Sequence, residues 1–147
     1  MGEYGRRIVV DIPFERAVAE TSEAIRAEGF DLVSTIDLRD YLARHAHHDC
    51  RRYLLLGALL PQLALDALRQ DPELGPLLPT TIAIYELPDG ETAVAASPSL
   101  SPVVFEFGWR TQRPAIAAMA DRVSDRLARA FDRLQRAASG SATTLCT

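Results

Sequence analysis

The chain has no lysine and no asparagine, and all 16 of its basic residues are arginine. Both absences read as coding bias, but the first excludes any mechanism that needs a Schiff-base or Walker-type lysine. Cysteine is scarce too, with Cys50 beside a histidine cluster and Cys146 in a Ser/Thr/Ala tail. Two such residues make no disulfide framework, so both read as free thiols in a reducing compartment. The glycines are scattered and form neither G-x-G-x-x-G nor a Walker pattern, which leaves no recognisable nucleotide site. G-x-S-x-G is absent as well, and nothing supports a Ser/His/Asp or Cys/His nucleophile. No apolar run reaches the roughly 18 residues that span a bilayer, and an acid and a proline interrupt the N-terminal MGEYGRRIVVDIPFE where a signal peptide needs a hydrophobic stretch. The reading is a cytoplasmic protein with no membrane partner. A net charge of -4 and a pI near 5.3 argue against nucleic acid.

An apolar fraction of 48% against 24% charged residues is that of a folded domain. Residues 1–138 read as one α+β unit and 139–147 as a disordered tail. Arg6 to Ile12 alternate as a half-buried strand, and Pro13 opens a helix that stops at Gly29. Phe30, Leu32 and Ile36 resume strand periodicity. Asp37 is placed to cap a short helix with Asp40 three residues on. Pro88-Asp89-Gly90 marks a hairpin between Thr81–Leu87 and Glu91–Ala96, and Val103 to Trp109 reads as a final edge strand. From Pro114 to about Ala138 a long helix carries Ile116, Met119, Val123, Leu127, Ala130, Phe131 and Leu134 on one face. Beside that face runs an arginine stripe whose expected partners are helix aspartates, Asp125 to Arg129 and Asp132 to Arg136. The fold class is α+β, a mixed or antiparallel sheet with helices packed on one face.

The stretch from Tyr53 to Glu86 organises the rest: an apolar strand, a Pro61-started helix, a turn capped by Asp71, and a second strand. With its flanks it carries Phe14 with Ala17, Glu28-Gly29-Phe30, Ile36-Asp37, Tyr53 with Leu55-Leu56, and Pro61. Ala67-Leu68, Asp71-Pro72, Leu78-Pro79 and Tyr85-Glu86 continue the pattern. In this order and spacing, over about residues 14–97, the chain resembles the domain of unknown function 302 family, or TT1751-like proteins. The resemblance implies an α+β homodimer. Where relatives commonly carry Cys-Asn, this chain has Leu59-Leu60, and where they often have Leu-Pro-Cys it has Leu78-Pro79-Thr80. Thiol chemistry at those positions is therefore lost, and the region is more apolar.

His45, His47, His48, Asp49 and Cys50 are the densest set of metal-type donors. Adjacent His47 and His48 seldom point the same way, and no second cluster completes a closed site, so no metal is expected. His45 is the best proton carrier, with Tyr53, Tyr85 and Glu86 as catalytic companions and Asp37 and Glu106 as further carboxylates. Leu59, Leu60, Thr80, Phe105, Phe107 and Trp109 are the ligand-binding candidates. The three rings, spaced by two, project from one strand face, and each would gain about 2 kcal/mol by burial.

Three functions follow as expectations. The first is a homodimeric, cofactor-free domain binding a small hydrophobic molecule in an apolar pocket between sheet and helices. The second is a cofactor-independent acid/base isomerase, cyclase or lyase of small-molecule biosynthesis. The third is a structural or protein-interaction module.

Overall fold

The computed structural model describes residues 5–97 and 113–144. Their elements are β1 (Arg6–Val10), α1 (Phe14–Ala27), β2 (Asp31–Asp37), α2 (Leu38–His45), β3 (Tyr53–Leu59), α3 (Pro61–Gln70), a 3-10 turn (Pro72–Leu77), β4 (Thr80–Glu86), β5 (Thr92–Ala96) and α4 (Pro114–Thr144). The strands form one fully antiparallel sheet in the order β1-β5-β4-β3-β2. Strands β2 to β5 follow one another as a meander, and β1 joins it beside β5. Between β4 and β5 the chain turns at Gly90, whose φ of 91° suits a residue without a side chain.

One face of the sheet is covered by α1 and α4. Ile82 and Ile84 of β4, Leu56 and Ala58 of β3, and Val94 and Ala96 of β5 are buried there against Phe14, Ala17 and Ile25 of α1. Leu127, Phe131 and Leu134 of α4 complete this core. Burying each large aliphatic or aromatic side chain in it contributes about 1.5–3 kcal/mol. A second, smaller cluster joins Ala67 of α3 and Leu74 of the 3-10 turn to Ile116, Ala117, Met119 and Ala120 at the start of α4. All seven residues assigned to the apolar face of this helix are buried. The helix runs on to Thr144, past the Ala138 where its sequence periodicity fades.

Strand β2 departs from the simple period of two. Its register on β3 shifts between Leu32 and Ser34, so Leu32 pairs with Ala58 while Ile36 pairs with Leu55. The extra residue, Val33, reverses the alternation. Leu32 faces the core and Ile36, expected beside it, lies on the other face, 49% exposed. Gly57 sits opposite Ser34, where a Cβ would come within 2.2 Å of the serine hydroxyl oxygen. The bulge brings the two backbones together with room for only one side chain.

The end of α1 is held by α4. Gly29, with a φ of 89°, ends the helix, and its N–H and that of Phe30 donate to the carbonyls of Arg26 and Ile25. Arg126 Nη1 donates to the Glu28 carbonyl at 2.8 Å. The Glu28 carboxylate, 8% exposed, accepts from Arg129 Nε at 3.0 Å and Arg133 Nε at 2.9 Å. The arginine stripe thus grips a partner distant in sequence: Arg129 reaches across to α1 instead of forming the expected pair with Asp125. The cause is burial. A carboxylate at a helix C-terminus, against the dipole and out of water, demands charged donors more strongly than a solvated aspartate does. The Arg133 and Arg129 hydrogen bonds hold the Glu28 carboxyl below its ordinary value of 4.5, against the opposing effect of burial.

No helix among the described residues is long and apolar enough to cross a membrane.

Candidate functional site

The pairing of Asp37 with Leu54 brings the end of β2 and the start of α2 against the start of β3. Phe14, the first residue of α1, closes the third side. Between them lies a groove of about 290 Å³ lined by Phe14, Asp37, Arg39, Arg52, Tyr53 and Leu54. Local structure fixes several of these groups. Asp37 Oδ1 accepts the Asp40 N–H at 3.0 Å, the cap foreseen from the sequence. Arg52 pairs with Glu15, and its guanidinium carbon lies 4.3 Å from the centre of the Phe14 ring, a cation-π contact. Arg39 Nε stands 3.6 Å from Asp49, whose side chain is 87% exposed.

Tyr53 also lies flat against Tyr85 of the neighbouring strand, with ring centres 4.9 Å apart and planes 9° from parallel. Arg7 Nε of β1 donates to the Tyr85 hydroxyl at 3.1 Å. Burial pushes the Tyr53 phenol above its ordinary 10.0, and the neighbouring Tyr85 adds to this. Near neutral pH Tyr53 is accordingly a hydroxyl donor.

The structure brings together only part of the expected acid/base set. Tyr53 and Tyr85 are in contact, and Asp37 shares the groove with Tyr53. Glu86 follows Tyr85 in the strand, so its side chain projects to the opposite side of the sheet. His45 is exposed at the end of α2 and lies tilted against Tyr41, with ring centres 4.6 Å apart, rather than packing on the core. The short helix buries none of its residues, which is why helical spacing alone misplaces this histidine. His47 adopts a φ of 52°, and among the described residues no three His, Cys, Asp or Glu side chains are grouped to hold a metal ion.

The residues at the altered thiol positions also separate. Thr80 is buried opposite Ala58 on the helix-covered face. Leu59, one residue beyond Ala58, projects to the other face. Leu60 precedes α3 and lines a second groove, of about 280 Å³, with Gly29, Pro61, Leu63, Arg122 and Arg126. Phe105, Phe107, Trp109 and Glu106 lie outside the described residues. Arg39, Arg52 and Leu54 were not foreseen as site residues. Their one sequence signal is the Asp37 cap, and only the long-range β2–β3 pairing turns it into a site.

Comparison with known proteins agrees with this architecture. The sequence matches the family described as domain of unknown function DUF302 over residues 7–134. A crystal structure of an uncharacterized conserved DUF302 protein from Bacillus stearothermophilus shares the fold with a TM-score of 0.77 at 20% identity. That match covers 90% of this chain and 99% of the other. No curated protein matches the sequence. With most of its length matched and the five-stranded sheet in place, the chain belongs to the DUF302 family.

Proposed function

We propose that the protein is a cofactor-free domain that binds a small, largely apolar molecule in the groove between α1, α2 and β3. The observation that supports this reading is the meeting of Phe14, Tyr53 and Leu54 from two separate elements in one open space of about 290 Å³. That volume is near the lower end of ordinary ligand sites, which are mostly apolar with a few placed polar groups. Binding is favoured over acid/base turnover because the groove lacks His45 and Glu86, and the one carboxylate in its lining already caps α2. The test is a titration of the ¹⁵N-labelled protein with small aromatic fragments, neutral and charged. Saturable shifts are expected at the Arg39, Arg52, Tyr53 and Leu54 amides, with a Kd of about 1 mM for ten-atom fragments. If no fragment of either kind moves them, the reading is lost.

Self-association through the face of the sheet opposite α1 and α4 belongs to the same proposal. Val9 and Ile36 there are 38% and 49% exposed, with Leu55 and Ala83 between them in the sheet. Light scattering should give twice the 16.1 kDa chain mass, and Val9→Glu with Ile36→Glu should return it to one chain. A monomer at micromolar concentration removes the dimer.

A further inference from the structure

We infer that the ligand of the α1–α2–β3 groove is a small carboxylic acid, an apolar body joined to a single carboxylate; this rests on the binding reading above. The lining supplies more donors than acceptors. Two guanidinium groups, Arg39 and Arg52, line the groove with a single carboxylate, Asp37, one oxygen of which is taken by the Asp40 N–H. An anion offers both guanidinium groups a charged partner inside the groove, which a neutral apolar guest does not.

The present partners of both arginines are easily exchanged. Asp49 is 87% exposed and 3.6 Å from Arg39, and Glu15, the partner of Arg52, is 70% exposed. Solvated pairs of this kind contribute little, so an incoming carboxylate competes with them at small cost. Arg52 is already oriented by its stacking on the Phe14 ring, and a planar guanidinium matches a carboxylate through two parallel N–H donations. Asp37 repels a second negative charge, which favours a monoanion over a phosphate ester. Leu54 and the Phe14 ring supply the apolar wall for the body of the guest.

The experiment compares 3-phenylpropionate with its uncharged isostere 3-phenylpropanamide, by NMR titration of the intact protein. The acid should bind about tenfold more tightly, the worth of one charge-assisted hydrogen bond pair over a neutral one. Arg39→Gln and Arg52→Gln, made separately because Arg52 also packs on Phe14, should each weaken acid binding more than amide binding and so reduce that preference. Equal affinity for acid and amide, or a preference that survives both substitutions, overturns the carboxylate assignment while leaving a neutral-ligand site standing. Absence of binding by both probes overturns the groove as a ligand site altogether.

Discussion

Replacing Phe131 by alanine is expected to remove about 3–5 kcal/mol of stability, the usual cost of deleting a buried aromatic ring. Domains of this kind have only about 5–15 kcal/mol in total. The ring is 2% exposed in the main core, on the helix whose apolar face closes the sheet. Rigid strands below and α1 beside it leave the cavity few ways to collapse, which places the cost toward the upper end of that range. Met119→Ala, in the separate cluster under α3 and the 3-10 turn, should cost less, because that site is smaller and nearer the surface. The two losses should add, since the clusters are distinct. Urea unfolding of the single and double variants measures this. A Phe131→Ala loss under about 1 kcal/mol would mean that α4 does not seal the core.

The second large effect concerns Glu28. Breaking a fully buried ion pair costs about 3–5 kcal/mol, but Arg129 and Arg133 are 57% and 51% exposed, so the expected loss for Glu28→Ala near neutral pH is about 2 kcal/mol. Its sign with pH follows from the depressed carboxyl. A group whose folded value lies below its unfolded one stabilises fully above the unfolded value and loses that contribution as pH falls through the folded one. The gap between wild type and Glu28→Ala should therefore be constant well above pH 4.5, the ordinary value, and close as the medium becomes more acidic than that. Parallel urea series across the acid range would show it. A gap that does not narrow would mean that the carboxylate charge is not what the arginines hold.

Much of the fold could be read from residue periodicity. The apolar stripe of α4, the Asp37 and Asp71 caps, the Gly29 stop and the hairpin at Gly90 are local patterns, and each appears where its chemistry requires. What could not be read depends on partners far along the chain. The position of Ile36 follows from one extra residue in β2, and nothing in Phe30, Leu32 and Ile36 marks a bulge. The arginine stripe is visible in the sequence, but i,i+4 spacing is a local rule that points to partners on the same helix, whereas Glu28 lies 101 and 105 residues away. The groove is legible in part. Asp37 and Tyr53 carry recognisable chemistry, whereas Arg39 and Arg52 resemble any surface arginine until β2 and β3 pair. His45 shows the converse: a suggestive residue type on a short helix that buries nothing.

Those same long separations bear on the order in which the molecule is assembled. Strands β2 to β5 each pair with the next strand of the chain, across no more than the segment between Leu59 and Thr80, while the Glu28 clamp must close a loop of about a hundred residues. Closing so long a loop is entropically costly, so a meander formed early and a final helix docked late is the favoured sequence of events. Interactions made after the barrier govern escape from the native state more than entry into it. The arginines of α4 thus act as a latch, setting how long the folded chain lasts once formed and having little influence on how fast it forms.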